Sequence, residues 1–157
     1  MSTEVNRISL DMQISIEDNS EEILAALENA IERGLEAIGM TAEGYAKETL
    51  TNTVYTRTTD PEGYKLTGRL RNSITFALAG KKADAETYAD DEGNTYQNEG
   101  TAPNDGDGVY IGTNVVYAAG IETGTRRKAG GVHFLQKAVS EHGEEYKQIM
   151  KDSLENA

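Results

Sequence analysis

Cysteine and tryptophan are absent from this chain, and proline and histidine occur only twice each in 157 residues. Without a thiol, disulfides, thiolate nucleophiles and cysteine-based metal sites are excluded. No run of apolar residues approaches the ~18 that a membrane-spanning helix needs. Met1-Ser2-Thr3-Glu4 opens without the basic start and apolar stretch of a signal peptide. The reading is therefore a soluble, unexported protein with no membrane partner. Bases are scarce as well, 15 Lys and Arg against 27 Asp and Glu, for a net charge of -12. Wrapping nucleic acid needs clustered bases that displace phosphate counterions, so DNA binding is disfavoured; lining a channel through which DNA slides without sticking is not.

What is present is charge in blocks. Residues 1–50 carry 11 acids and 3 bases, 51–80 carry 2 and 4, 81–108 carry 8 and 2, and 109–157 carry 6 and 6. Acidic surfaces of this kind keep a protein soluble whatever else they do. The apolar fraction of 37% and its regular periodicity suit one folded domain over residues 1–157.

Apolar side chains fall on every second residue from Ile8 to Ile16, which predicts a first strand within an N-terminal strand or arm over residues 1–18. Asp18, Asn19 and Ser20 offer N-cap chemistry, with Glu21 and Glu22 at the positive end of the helix that follows. From Ile23 to Leu50 apolar residues recur at spacings of three and four, predicting one long amphipathic helix over 20–50 whose other face bears Glu28, Glu32, Glu36 and Glu43. Gly34, Gly39 and Gly44 weaken that helix, so a kink near Gly39 is expected; spaced five apart, they do not share a face, which argues against close packing as their purpose.

A threonine-rich loop with a turn at Asp60-Pro61-Glu62-Gly63 should fill 51–65. A helical turn at 67–71 should point Leu66 and Leu70 inward and Arg69 and Arg71 outward. The sheet region then spans 73–118: a strand at 73–78, an edge hairpin around Asp90-Asp91-Glu92-Gly93, and the sheet's centre at 109–118. A basic, glycine-flanked loop holding Arg126, Arg127 and Lys128 leads to a C-terminal helix over 132–155. The fold class is α+β: a small, mainly antiparallel sheet packed by a long N-terminal helix and a C-terminal helix, with long mobile loops.

Residues suited to catalysis are few. His133 and His142 lack a zinc-helix spacing or a Ser-His-Asp arrangement and read as structural or surface histidines. Asp90-Asp91-Glu92 and Asp105-Gly106-Asp107 invite a calcium reading, but an EF-hand starting at Asp90 would put Thr95 where glycine belongs and Thr101 where the bidentate glutamate belongs. Solvated turn acids are the plainer reading. No P-loop is present. The expectation is no enzyme, no cofactor and no metal.

Three segments in order carry a resemblance: Leu66-Thr67-Gly68-Arg69-Leu70-Arg71-Asn72-Ser73-Ile74; Val109-Tyr110-Ile111-Gly112-Thr113-Asn114 running into Tyr117-Ala118-Ala119-Gly120-Ile121-Glu122-Thr123-Gly124-Thr125; and Phe134-Leu135 opening an amphipathic tail. Together, over roughly residues 20–155, they resemble the HK97 gp10-like family of tailed-bacteriophage neck and tail-completion proteins. The resemblance implies a structural virion protein, assembled in the host bacterial cytoplasm, that joins head to tail or completes the tube. Its partners would be itself, as a hexameric or dodecameric ring, the neighbouring neck and tail-tube or terminator proteins, and genomic DNA passing through without sequence-specific binding. The chain departs from the family in having Val132-His133 where proline commonly precedes the Phe-Leu pair, and in a longer, more acidic 81–108.

Within these segments Gly68, Gly112 and Gly124 read as backbone requirements, Ile111 and Ile121 as core, and Tyr117 as part of an aromatic layer under the helices. Arg69, Arg71, Arg126, Arg127 and Lys128 have no evident packing role. They are assigned as a subunit or partner interface, facing Glu28, Glu32 and Glu36 or the 84–107 region of a neighbouring copy. Two other classes stay open: an acidic host-directed binding or inhibitor protein, and, last, a metal-dependent hydrolase resting on the acidic loops.

Overall fold

The computed structural model describes residues 4–8, 21–126 and 129–157. Its spine is helix α1 (Glu21–Thr53), which runs unbroken through all three glycines. Three strands form an antiparallel sheet in the order β1-β5-β2: β1 (Glu4–Ile8), β2 (Thr75–Leu78) and β5 (Val109–Thr113). As expected, β5 is central, pairing Val109 with both Ile8 and Leu78, and Gly112 with both Val5 and Thr75. A separate hairpin joins β3 (Thr87–Ala89) to β4 (Thr95–Gln97). Short helices α2 (Arg69–Ser73) and α3 (Ala118–Thr123) flank the sheet, and α4 (Phe134–Ser140) and α5 (Gly143–Glu155) close the chain. The class is α+β.

One face of α1 supplies Leu35, Ile38, Ala42, Ala46 and Leu50 to a core completed by Leu70, Ile74, Phe76, Val109, Ile111, Phe134, Leu135, Tyr146 and Met150. Burial of these side chains is the main favourable term, at about 1.5–3 kcal/mol for each large one. The helix survives its glycines because two of them are where neighbours come closest. A Cβ on Gly39 would sit 2.7 Å from the Phe76 ring and 2.8 Å from Val109 Cγ2, and one on Gly34 would sit 2.7 Å from Met150 Sδ. Close packing, discounted on spacing alone, is thus the reason for both: the two glycines serve different neighbours, α5 for Gly34 and the sheet for Gly39. Gly44 has nothing within 4 Å.

Other expectations need correction. The strand predicted over 8–16 lies, apart from Ile8, outside the described residues, and the edge strand is Glu4–Ile8. Ser73 ends α2 and does not begin a strand; its hydroxyl lies 2.5 Å from the Thr113 hydroxyl, joining α2 to the end of β5. Val115-Val116-Tyr117 is a turn leading into α3, because the Thr113 hydroxyl accepts from the Val115 amide and turns the chain out of the sheet. The single C-terminal helix is two, divided at Glu141-His142. His142 there stacks on Tyr45 of α1, ring centroids 3.5 Å apart. The loop after α1 starts late and is tied down: Asp60 accepts from the Glu62 and Tyr64 amides, and Thr59 bridges to Lys65.

Candidate functional site

The segments that carry the resemblance meet in two constructions. The first is a clamp at the base of the basic loop. Glu122, on α3, is only 5% exposed, and its carboxylate accepts from the Leu135 and Gln136 amides at 3.1 Å each, capping α4 from a remote position. The Glu122 carbonyl also accepts from His133 N, and the Ile121 carbonyl from Val132 N. A carboxylate suits a helix N-terminus, where free amides and the helix dipole both favour negative charge. His133 adopts a left-handed conformation, φ 56°, to turn the chain into α4. Gly131 lies so close to the Glu122 backbone that a Cβ would collide with its carbonyl. The end of α3 and the start of α4 are therefore pinned to each other, with Arg126 exposed just beyond α3. Arg127 and Lys128 lie outside the described residues.

The second construction joins α2 to the β3–β4 hairpin. Gly68 precedes α2 with φ 76°, crowded by the Asp91 carboxylate and the Arg71 guanidinium. Arg71 donates through Nη2 to both Asp91 oxygens, at 2.9 and 2.7 Å, and lies over the Tyr55 ring. Asn72 Nδ2 donates to Asp91 and to the Ala89 carbonyl. Arg69 lies 4.0 Å from the Tyr96 ring centroid, and Tyr96 stacks on Tyr88. Both arginines were expected to point outward; each is half-buried against the hairpin of its own chain.

The turn acids are structural. Asp90, 5% exposed, accepts from the Glu92 and Asn94 amides, Asn94 Nδ2 and the Tyr96 hydroxyl. Those bonds are the anchor of the hairpin turn, and the solvated reading of Asp90 does not hold. Hydrogen bonds from Asn94 hold the Asp90 carboxyl below the usual carboxylate range, and those from Asn72 and Arg71 do the same for Asp91. A carboxylate with a depressed folded pKa stabilises above its ordinary value of 3.8 and loses that contribution as pH falls through the folded value. Acidification below about pH 4 should release the hairpin before the core, seen as faster amide exchange at Asn94 and Gly93; uniform exchange across the hairpin and α1 would reject that order.

Tyr117 is half exposed and lies in the turn before α3, not in a layer under the helices. Desolvation, reinforced by the neighbouring Tyr55, pushes its phenol up to about 12. Because the unfolded chain then loses its proton first, Tyr117 should cost stability as pH rises from about 10 to about 12. Tyr117→Phe should flatten that part of the stability curve, and an unchanged slope would place the cause elsewhere.

Glu28, Glu32 and Glu36 lie along the outer side of α1; Glu32 is bonded to Lys81 Nζ at 2.6 Å. Glu28 and Glu32 edge an open groove of about 320 Å³ floored by Ile31, Leu35 and Leu78. Sequence reasoning missed Glu122, Gly131 and this groove. An acid eight residues ahead of the Gly130-Gly131 pair was the available signal for the clamp, and it is a weak one. Among the described residues no group of three or more His, Cys, Asp or Glu is placed to hold a metal ion, and no helix is long and apolar enough to cross a membrane. No family model, no curated protein and no solved structure matches the chain.

Proposed function

We propose that this chain is a structural protein of a tailed-bacteriophage virion, acting at the neck or in tail completion by docking and ring assembly, without catalysis. One observation carries the reading. The three segments that resemble the HK97 gp10-like family are adjacent in space and build on one another: Ser73 meets Thr113, and Glu122 caps the helix that Phe134 and Leu135 open. Short motifs scattered by chance along a chain have no reason to converge in this way. The clamp supports the same reading, since it presents Arg126 on a loop whose ends are fixed, which lowers the ordering cost of docking. The ring's channel would pass DNA along an acidic wall without holding it.

Electron microscopy of particles from an induced lysogen deleted for this gene tests the reading. Full heads beside separate tails of normal length are expected, restored by complementation. Overlong or missing tails would move the role to ending or building the tube. Normal infectious virions would overturn it in favour of an acidic inhibitor of a basic host protein, the class that the -12 charge also suits.

A further inference from the structure

The outer side of α1 carries two residues that the fold itself does not explain. Leu35, Ile38, Ala42, Ala46 and Leu50 form the buried side. Opposite them, at the same three- and four-residue spacings, Arg33, Ala37, Met40, Gly44, Glu48 and Thr51 are all exposed. Met40 is 63% exposed, and methionine is a side chain that moulds itself to a partner and recurs on binding surfaces. Gly44 follows one turn later. Glycine weakens a helix interior, and Gly34 and Gly39 are each accounted for by a neighbour that comes close, whereas a Cβ on Gly44 would meet nothing within 4 Å. Arg33 and Glu48 lie on either side of this pair along the stripe, and neither is in an ion pair with a described residue.

A knob and a hole one turn apart on the same helix are complementary to themselves. When two copies of α1 lie antiparallel and cross at the level of Ala42, Met40 of each faces Gly44 of the other. The missing side chain at Gly44 then lets the helices approach to about 8 Å, the close end of the range for packed helices. In the same register Arg33 of each copy comes within one turn of Glu48 of the other, so opposite charges close both ends of the contact. Glu43 and Lys47 are already paired within the helix at 3.1 Å and bring no net charge.

We infer that α1 is a self-docking face: two copies pair antiparallel through Met40 and Gly44, with Arg33 of each reaching Glu48 of the other. The occupant is a second copy because the stripe carries both halves of the fit, knob with hole and base with acid. Each copy uses the same residues, so the contact is isologous and closes at two. A ring propagates through unlike surfaces, so this pairing is not a ring contact; it does not rest on the neck reading and stands or falls apart from the deletion phenotype. One helix pair from Arg33 to Thr51, about 27 Å long at ~1.5 Å per residue, is smaller than a standard interface. The dimer is accordingly weak, with a Kd on the order of 100 µM.

Sedimentation equilibrium on the full chain, from about 10 µM to about 1 mM, spans that range. The unsubstituted protein should pass from monomer to dimer. Met40→Asp and Gly44→Leu, both at exposed positions, should each raise Kd at least ~10-fold with unchanged circular dichroism. Gly44→Ala separates docking from folding, because the same methyl should strengthen the helix and weaken the pairing. Arg33→Glu should weaken association about fivefold, and adding Glu48→Arg to it should restore the dimer. The chain has no cysteine, so disulfide trapping meets no other thiol. Met40→Cys mixed with Gly44→Cys should cross-link roughly tenfold faster than either variant alone, because only the unlike pair comes within bonding reach. An unsubstituted protein still monomeric at ~1 mM would overturn the inference and leave the stripe to a helix of another protein. So would a Met40→Asp variant that dimerises normally, or trapping that favours like positions over unlike ones.

Discussion

Replacing Glu122 with alanine should lower the unfolding free energy by about 3 kcal/mol, the largest effect expected of any polar substitution in the described chain. The carboxylate accepts two backbone amides at the start of α4, and Leu135, which carries one of them, is wholly buried. Truncation leaves those amides facing a cavity. Hydrogen bonds to a charged acceptor are worth about 1.5–3 kcal/mol, and an orphaned buried donor costs about 1–3; the desolvation that the native carboxylate itself suffers offsets part of this. For a domain of this size the loss corresponds to a fall in Tm of about 6–12 °C. Glu122→Gln keeps one good acceptor and should lose about half as much. Glu141→Ala, at an exposed position between α4 and α5, should change stability by no more than ~0.5 kcal/mol. Urea melts of the three variants decide the matter: a loss below ~1 kcal/mol for Glu122→Ala would mean that the cap contributes little and that the loop's base is held by the backbone bonds alone.

The Gln variant carries a further consequence for docking. If the carboxylate pins the start of α4 to the end of α3, amide exchange at Val132 and His133 should quicken while α1 stays protected. Assembly would then slow without loss of fold, because the loop bearing Arg126 would have to be ordered at each encounter.

How much was legible in the sequence depended on whether a feature was periodic or relational. The long helix, the hairpin around Asp90 and the central β5 were readable because a repeat of 3.6 or 2 residues, or a turn cluster, writes its own signal along the chain. Val115-Val116-Tyr117 misled for the same reason: three residues of high β propensity look like strand, but the Thr113 hydroxyl captures the Val115 amide and ends the ladder. The break in the C-terminal helix was hidden because its apolar spacing continues across Glu141-His142, and the contacts that mark the corner include the stacking of His142 on Tyr45, almost a hundred positions earlier. Arginines were assigned to the surface because nothing local matched them; Asp91 and Tyr96 lie some twenty or more residues downstream. Glu122 is the extreme case, since a buried acid in a short apolar helix is unremarkable until its two amide partners arrive from beyond the basic loop.

Gly39→Ala should destabilise the protein while Gly44→Ala stabilises it, although both glycines sit inside the same helix and the change is identical. Alanine is favoured over glycine in a helix interior by about 1 kcal/mol, partly because it restricts the unfolded chain. At Gly44 the added methyl meets nothing within 4 Å, so the whole gain should appear as stability. At Gly39 the methyl lands 2.7 Å from the Phe76 ring and 2.8 Å from Val109 Cγ2, on β2 and β5, where neither side chain has room to withdraw. Overpacking of this kind costs about 1–3 kcal/mol, enough to cancel the helix gain and leave a net loss of up to about 2 kcal/mol. Gly39→Val, with two further carbons against the sheet, should lose more than about 3 kcal/mol. Gly34→Ala should fall between, because the atoms it meets are the Sδ and Cε of Met150, the movable end of a flexible side chain. The order Gly44, Gly34, Gly39 in urea midpoints follows from packing alone; a common gain at all three positions would mean that the sheet does not sit against α1 at Gly39, and with it the registration of the core on β5 would fall.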